Sequence, residues 1–551
     1  MTKMCFAPRR DKGWIPKVCH CKAFRKESRG NLVFKEDAKN KNQDCFVASL
    51  LAMTAEELSL RASRKGGVAI SKSYHLILKA IMLIMTTKLL LCQDEGLFQR
   101  MGTTKNRKTL AQSCIIFYMR LYLIHPDPNY YERQESKERK SLFPPLGLLQ
   151  VAGLTPPDIE IKLTDEAVED IDFDYPADLV GISFNTASAI RAFDIAKEFR
   201  KRGVKVVMGG AHPSMMPEEC AQYADAVCIG EAECYWTRLL EDAEKGNLQK
   251  FYRCEGFPPL QGIPFPRRDL LDPKKYAVFY TVQTTRGCPY NCEFCSVTRF
   301  FGRTYRTRPV EEVIKEVEQL EGKIIIFVDD NILGNPNYAK ELFKALIPLK
   351  KIWLSQGSIN MTKDEELLRL AVRSGCRGLF IGFESISEEA LREAGKKHNI
   401  VQEYRDAIRR LHNAGIAIIG AFIFGFDSDD KDVFKRTVDF VYKERIDLPQ
   451  FSILTPLPGT ALYEKMEKEG RIFSKDWSKY TGNHCVYYPK NMTPEELEAG
   501  LEWAYKEMCN FLPLLRRTFS FSRRFPVSFL LNYYYYKVVK DWLRRKEALR
   551  K

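Results

Sequence analysis

Between residues 119 and 250, short apolar runs alternate with longer stretches in which apolar residues recur every three or four positions. The runs have the length of buried strands, and they cover residues 120–124, 159–164, 179–183, 205–208 and 226–229. The clearest helical stretch, 190–202, has one apolar face, formed by Ile190, Phe193, Ile195, Ala196 and Phe199. This alternation predicts an α/β domain with a doubly wound, Rossmann-like parallel sheet over residues 119–250.

A second alternating series runs from residue 277 to residue 461. Its strand-like runs cover residues 277–282, 323–328, 352–355, 378–382, 416–424 and 450–454. The helical stretches between them cover residues 309–320, 337–349, 364–374, 402–414 and 430–444. The series predicts a partial (β/α)6 barrel, with its active residues at the carboxyl ends of the strands. The proline-rich residues 251–276 predict a stiff linker between the two series.

Residues 1–118 follow neither pattern. They show no sustained helix or strand period, and we expect a poorly structured basic segment. The segment is interpreted as a disordered tail, or as sequence upstream of a start at Met119. Its one strongly apolar run, 75–92, contains two lysines, which disfavours a membrane span. Three potential metal ligands also lie here, without a standard zinc spacing: Cys19, His20 and Cys21.

Charge is divided unevenly along the 551 residues, whose net charge is +15. Residues 1–118 carry 22 Lys/Arg and 9 Asp/Glu, and residues 514–551 carry 11 and 2, so the chain between them has a net charge of −7. The catalytic part is therefore mildly acidic, and we do not expect a nucleic acid partner. The 16 cysteines are scattered along the chain, which favours a reducing cytoplasm over a small disulfide scaffold.

Residues 462–551 predict a helical extension that ends in interleaved aromatic and basic residues, including 533–536 (four tyrosines) and 544–546. Such a tail suits peripheral contact with lipids at the inner face of a membrane. It also suits packing against the barrel, or a nucleic acid groove. The tail is too short and too charged to span a bilayer.

Three cysteines, Cys288, Cys292 and Cys295, are spaced C-x₃-C-x₂-C directly after the strand-like run 277–282. Three thiolates can hold three irons of a [4Fe–4S] cube, and the fourth iron then remains open, because no fourth cysteine follows in register. The alternative is three unrelated core cysteines. A Gly-Cys-Pro turn with polar residues between the cysteines disfavours that interpretation.

This loop resembles the cluster loop of the radical S-adenosylmethionine (SAM) enzymes. The resemblance implies that the amino and carboxylate groups of SAM chelate the open iron and that Phe294 lies against the adenine. An external electron donor of the ferredoxin or flavodoxin type is then expected to reduce the cluster. Reductive cleavage of SAM would give methionine and a 5′-deoxyadenosyl radical, which abstracts hydrogen from an unactivated carbon.

Polar residues and glycines at the predicted strand ends of the barrel are the candidates for binding SAM. We expect Glu384 to contact the ribose hydroxyls or the amino group, and Gln356 or Ser358 to contact the carboxylate. Gly425 would let the backbone approach the adenine. Residues 329–331 (Asp-Asp-Asn) also lie at a strand end, although they could simply cap the following helix.

In the first domain, the fourth and fifth predicted strands end in Gly209-Gly210 and Gly230-Glu231, with His212 close behind the first pair. Paired glycines let a flat ligand approach the backbone. The segment resembles the cobalamin-binding domain that precedes many radical SAM barrels, so cobalamin is an expected cofactor. The Asp-x-His-x-x-Gly motif is absent, which implies that no histidine binds the lower face of the cobalamin. The alternative is a degenerate sheet kept as a scaffold.

These features together predict a cobalamin-dependent radical SAM methyltransferase that acts on an unactivated carbon, with a lipid as the favoured substrate. One alternative is non-methylating radical chemistry, such as cyclisation, coupling or sulfur insertion. Sulfur insertion would need a second cluster, for which the candidate ligands are Cys220, Cys228, Cys234 and Cys254. A further alternative is a non-catalytic iron–sulfur or RNA-binding protein.

Overall fold

The computed structural model describes residues 2–7, 15–20, 119–132, 139–510 and 525–549. The chain divides into two compact units, residues 1–115 and 116–551, which are described separately. In the first unit, strands β1 (Thr2–Ala7) and β2 (Ile15–His20) pair antiparallel, where the sequence predicts no strand. The apolar run 75–92 and Cys21 lie outside the described residues.

The second unit begins with a six-stranded sheet in which all neighbouring strands are parallel, in the order β4-β3-β5-β6-β7-β8. The strands are β3 (Arg120–His125), β4 (Glu160–Asp165), β5 (Leu179–Ser183), β6 (Lys205–Gly209), β7 (Ala226–Ile229) and β8 (Phe251–Arg253). All five predicted strands are present. The sixth strand, β8, was not predicted and lies in the stretch interpreted as a linker. It is a three-residue edge strand with one buried residue, Tyr252, so it gives almost no apolar pattern.

Helices cover both faces of this sheet. They are α1 (Leu146–Leu154), α2 (Ala189–Lys201), α3 (Ala211–Met215), α4 (Pro217–Cys220) and α5 (Trp236–Glu244). Successive residues of β3 enter opposite cores, with Leu121 on one side and Tyr122 on the other. The strands are therefore buried on both faces, which explains why they read as continuous apolar runs.

After the connection, β9 (Thr281–Val282) opens a second sheet, and β10 (Thr285–Arg286) pairs antiparallel with β11 (Arg306–Thr307). Between β10 and β11 lie residues 287–305, which include the three cysteines and α6 (Ser296–Phe300). The segment from β10 to β11 is named the cysteine hairpin. Arg286 and Arg306 face each other at its base.

The barrel sheet has the order β9-β12-β13-β14-β15-β16, again with parallel neighbours. The remaining strands are β12 (Ile324–Phe327), β13 (Ile352–Gln356), β14 (Cys376–Glu384), β15 (Ala417–Phe424) and β16 (Leu448–Ile453). The surrounding helices are α7 (Val310–Glu318), α8 (Pro336–Leu346), α9 (Glu365–Ser374), α10 (Glu388–Glu393), α11 (Tyr404–Asn413) and α12 (Val433–Glu444). Six parallel strands confirm the predicted partial barrel.

The C-terminal extension contains α13 (Ala461–Lys468), α14 (Pro494–Cys509) and α15 (Phe525–Leu549). Helix α15 packs on the barrel and on α14, where the Trp542 ring meets Tyr505 at 5.4 Å. The amide of Asn532 donates to the Asp447 carbonyl at 2.7 Å, and Lys546 pairs with Glu498 at 3.2 Å. One face of the tail therefore packs against the protein. Among the described helices, none has a stretch long and apolar enough to cross a bilayer.

Residues between α13 and α14 return to the first domain. Trp477, Tyr480 and Val486 complete the core that contains Phe193 on one face of the first sheet. The Trp477 indole N–H donates to the Glu219 carboxylate at 2.9 Å. The extension therefore contacts both the barrel and the first domain.

Candidate functional site

The three thiols of the cysteine hairpin are half-buried. Burial raises the pKa of Cys288, Cys292 and Cys295, that of Cys292 to about 12. Bound metal overcomes such a cost, because a coordinated thiol is deprotonated outright. Over the described residues, no three His, Cys, Asp or Glu side chains converge closely enough to hold a single metal ion. The three cysteines of the hairpin fit a [4Fe–4S] cube instead, because each thiolate of such a cube binds a different iron.

Asp329, two residues after the end of β12, binds the residues at the start of the hairpin. Its buried carboxylate accepts hydrogen bonds from the backbone N–H groups of Thr284 and Thr285, at 2.7 and 2.5 Å, and from both threonine hydroxyls. Burial raises the pKa of Asp329 to about 6 even though these hydrogen bonds lower it. Asp330 accepts the N–H of Gly287 at 3.1 Å.

The third member of this triplet also faces the hairpin. The side-chain amide of Asn331 lies 3.9 Å from the Cys288 sulfur. The cap of α8 is instead Asn335, whose side chain accepts from the N–H groups of Asn337 and Tyr338. The alternative in which residues 329–331 only cap a helix is therefore wrong.

The loop after α10 also contacts the cysteine hairpin. The N–H of Glu293 donates to the Ala394 carbonyl at 3.0 Å, and the Tyr290 ring stacks on His398 with their centroids 3.4 Å apart. Burial, together with the charge of Lys396, lowers the pKa of His398 to about 4, so the stacked imidazole is neutral at pH 7.

Glu384 at the end of β14 forms an ion pair with Lys396, and both side chains are almost fully buried. Glu384 adopts a left-handed backbone conformation, with φ +62°. Burial opposes the charge of Lys396, but Glu384 and then Cys292 outweigh it, so the pKa of Lys396 is raised. Lys396 was not predicted. Its only sequence signal is a Gly-Lys-Lys-His run that follows a short helix.

The other predicted SAM contacts have different surroundings. Gln356 ends β13 with an exposed side chain. The Ser358 hydroxyl accepts the N–H of Asn360 at 3.3 Å and so begins a short 3-10 turn. Phe294 packs against the barrel core. Ser358 therefore has a capping function in the fold, whatever else it binds.

Gly425 packs against the C-terminal extension. Its N–H donates to Asp429 at 2.9 Å, and its carbonyl accepts the Tyr487 hydroxyl at 2.5 Å. Its φ is +99°, and an added Cβ would meet the Tyr487 hydroxyl and, at 2.8 Å, the Leu497 side chain. Both backbone groups are thus hydrogen-bonded within the protein, and the approach of Gly425 to the adenine stays a prediction.

Gly425→Ala is expected to destabilise the protein by roughly 3 kcal/mol, the sum of left-handed strain and overpacking. The free energy of unfolding in urea measures this. Gly203→Ala is the matched control, because Gly203 also has a positive φ (+81°) but nothing within 4 Å of an added Cβ. Equal losses in the two variants would contradict the packing argument.

A cavity of about 250 Å³ lies between the carboxyl ends of the first sheet, α1, α5 and the barrel. The predicted residues Gly209, Gly210, Gly230 and Glu231 come together in its wall. Apolar side chains line much of the rest, among them Leu123, Val151, Val207 and Trp236. Gly209 leaves the wall open, since an added Cβ there meets only the Cys228 side chain at 3.4 Å. Such a wall fits a flat, largely apolar part of a cobalamin.

His212 does not line this cavity. Its ring is fully buried, 5.3 Å from the Trp477 ring, with Nδ1 3.3 Å from the Thr186 hydroxyl and Nε2 3.3 Å from the Glu219 carboxylate. The structure therefore places His212 in the contact between the first domain and the C-terminal extension, and not with the predicted cofactor residues.

The four candidate ligands of a second cluster do not form one site. Cys220 and Cys228 are buried as free thiols, whereas Cys234 and Cys254 are bonded to each other. These four cysteines therefore do not provide the second cluster that sulfur insertion would need.

Comparison with known proteins gives a family for each domain. The pattern of the Radical SAM superfamily matches residues 282–441, and that of the B12 binding domain matches residues 137–238. The bacteriochlorophyllide d C-12(1)-methyltransferase of Chlorobaculum tepidum is 35% identical over 64% of this chain and 80% of its own. The C-8(2)-methyltransferase of the same organism is 34% identical, over 70% and 89%.

More distant relatives include the hopanoid C-2 methylase of Rhodopseudomonas palustris, 27% identical over 61% of this chain and 66% of its own. Among solved structures, the radical SAM methyltransferase TsrM from Kitasatospora setae, with cobalamin and a [4Fe–4S] cluster bound, matches with a TM-score of 0.53. That match covers 64% of this chain and 78% of TsrM at 18% identity, and it shows a shared fold.

Proposed function

The chain belongs to the radical SAM enzymes that carry a B12-binding domain, and we propose that it transfers a methyl group to an unactivated carbon of a large apolar substrate. Its cofactors are a [4Fe–4S] cluster, SAM and cobalamin. When bound, the cluster and SAM supply a 5′-deoxyadenosyl radical, and cobalamin supplies the methyl group. The substrate class is supported by the names of relatives, which specify methylation of bacteriochlorophyllides and of hopanoids.

In this proposal, residues of the hairpin, of β14 and of the loop after α10 have complementary tasks. Cys288, Cys292 and Cys295 hold the cluster. The ammonium of Lys396 matches the carboxylate of SAM, and Glu384 matches the amino group or the ribose hydroxyls. A buried ion pair is suited to this, because its partners are already oriented and need no rearrangement when the ligand binds.

One observation supports methyl transfer over other radical chemistry. Arg286, Phe300 and Phe301 of the cysteine hairpin line the cavity of the first domain. The loop that carries the three cysteines therefore also forms part of the wall of the cavity proposed for cobalamin. Such proximity lets both cofactors act on one substrate carbon, since reacting groups must be held close together.

Anaerobic reconstitution followed by turnover with SAM that carries a deuterated methyl group tests the proposal. Reduced protein is expected to release 5′-deoxyadenosine and to place the label on a carbon of bacteriochlorophyllide d or of a hopanoid. Comparison of these two substrates distinguishes a tetrapyrrole from a lipid. Cleavage of SAM with an unlabelled, altered product would instead favour cyclisation or coupling, and absence of cleavage would contradict the assignment as an enzyme.

The cluster needs an external reductant, and we propose a small donor of the ferredoxin or flavodoxin type. Replacement of dithionite by reduced flavodoxin is expected to support formation of 5′-deoxyadenosine. Formation of 5′-deoxyadenosine with dithionite but with neither ferredoxin nor flavodoxin would contradict this part of the proposal.

We also propose that the protein binds peripherally to the anionic inner face of a membrane, and the exposed face of α15 supports this. Tyr533 and Val538 are about half exposed, at 52% and 45%. The ammonium of Lys537 lies 4.6 Å from the centre of the Tyr533 ring, and Lys540 lies 5.2 Å from Tyr536. Aromatic rings at headgroup depth with cations beside them are typical of membrane interfaces.

The double variant Lys537→Glu/Lys540→Glu is expected to weaken binding to phosphatidylserine vesicles by at least about tenfold. Each basic residue near an anionic surface contributes about 1 kcal/mol to binding, and the variant reverses two such charges. Vesicle sedimentation measures this. Lys435→Glu is the control, because Lys435 is well exposed and lies on another helix, α12, where it pairs with Asp439. Unchanged binding by the double variant would contradict membrane contact.

A further inference from the structure

Four charged side chains join the first domain to the base of the cysteine hairpin. Glu231 and Glu233 follow β7, while Arg286 and Arg306 face each other across β10 and β11. Arg286 donates to Glu231 at 2.5 Å and to Glu233 at 2.7 Å. Arg306 donates to both oxygens of Glu231, at 2.5 and 3.0 Å. We call these four residues the interdomain charge cluster.

The cluster has no net charge, and its two central members, Glu231 and Arg286, are buried. Glu231 is 4% exposed and Arg286 6% exposed, so neither charge is solvated by bulk water. Two guanidinium groups against two carboxylates balance the charge, and the planar fork of arginine fixes the geometry of its pairs. Removal of one partner from such a set leaves an uncompensated charge, so the arrangement resists small displacements.

Each side of the cluster is also fixed within its own domain. On the first-domain side, the N–H of Gly230 donates to the Ser214 hydroxyl at 3.0 Å, and the Gly230 carbonyl accepts from Tyr235 at 3.2 Å. On the barrel side, Nε of Arg286 donates to Gln283 at 2.9 Å. The link between the two domains is therefore short and stiff.

Three members of the cluster, Glu231, Glu233 and Arg286, also line the first-domain cavity. Arg286 stands two residues before Cys288, and the N–H of the intervening Gly287 is bound to Asp330. A ligand that fills the cavity must therefore touch the same residues that fix the start of the cysteine loop.

We propose that Glu231 is a positioning residue that couples the two cofactor sites, so that occupancy of the cavity changes the affinity of the cysteine loop for SAM. This inference rests on the proposed function, because it takes cobalamin as the ligand of the cavity. Glu231 acts through Arg286 and Arg306. The coupling is reciprocal, since linkage requires SAM to change the affinity for cobalamin by the same factor.

The test is to measure SAM binding to the reconstituted holoprotein with and without hydroxocobalamin. The change in the electron paramagnetic resonance spectrum of the reduced cluster on SAM addition gives the dissociation constant. The wild-type constants should differ by at least about fivefold, the lower end of typical coupling. In Glu231→Gln, which keeps the shape of the side chain but removes its charge, the ratio should fall to near one while the iron content is unchanged.

Glu169→Gln is the matched control. Glu169 pairs with Lys275 of the connecting segment at 2.6 Å, so it also joins the first domain to a later part of the chain, but it is partly exposed and does not touch the hairpin. This variant should keep the wild-type ratio. A wild-type ratio of one, or a Glu231→Gln variant that keeps the full ratio, would overturn the inference.

Arg306→Lys provides a second variant if Glu231→Gln fails to fold. It keeps the positive charge and loses the bidentate contact to Glu231, and it should also reduce the ratio. Retention of the full ratio would overturn the inference. Methyl transfer plays no part in the measurement, so a failure of the proposed function appears separately, as absence of labelled product or of cobalamin binding.

Discussion

Replacement of Cys292 by alanine is expected to abolish both the cluster and the cleavage of SAM. A cube that loses one of three thiolates has two open irons, and its remaining ligands cannot hold it. The sulfurs near Cys292 are those of Cys288 and Cys295, which already serve as ligands in this assignment. After anaerobic reconstitution, the broad charge-transfer absorbance of the cluster should be lost, and 5′-deoxyadenosine should fall to background.

Cys376→Ala is the control for this experiment. Cys376 is a free, fully buried cysteine in β14, and its loss removes packing without removing a predicted ligand. This variant should keep its iron and its turnover. A Cys292→Ala protein that retains iron, sulfide and SAM cleavage would contradict the assignment of the hairpin as the cluster site.

Replacement of Lys396 by methionine is expected to destabilise the protein and to prevent SAM binding. The change leaves the Glu384 carboxylate buried without its partner, which costs about 3–5 kcal/mol. It also removes the cation proposed to meet the carboxylate of SAM. Urea unfolding measures the first effect, and the response of the cluster spectrum to SAM measures the second.

The double variant Lys396→Met/Glu384→Gln separates these two effects. With both charges removed, no uncompensated carboxylate remains, so most of the lost stability should return. SAM binding should not return, because neither charged group is present. A double variant that binds SAM with wild-type affinity would show that the ion pair serves only the fold.

The strands could be predicted wherever they are buried on both faces. Residues 121–124 of β3 are the clearest case, because all four are buried and a strand buried on both faces needs no polar alternation. Two of the edge strands, β8 and β9, gave a weaker signal. Of the predicted run 277–282, only Thr281 and Val282 are in β9, and β8 was missed. Edge strands pair on one side only, so they need fewer apolar residues.

The residues of the candidate site could also be predicted only in part. The three cysteines could be recognised because their spacing within one loop carries the chemistry. Lys396 could not, and Asp329 could be placed at a strand end but not against the hairpin, since these contacts depend on which loops the fold brings together. Glu231 and Gly425 were correctly placed at strand ends, but those ends meet other parts of the protein. Sequence identifies the edge of a sheet more readily than what covers it.

The contact between Trp477 and Glu219 spans 258 residues of sequence, and this has a consequence for biosynthesis. Domains usually fold in the order in which they leave the ribosome. Here the first domain is synthesised early, but its core remains without Trp477, Tyr480 and Val486 until the barrel is complete. The nascent first domain is therefore expected to mature last, so cobalamin loading follows release of the finished chain.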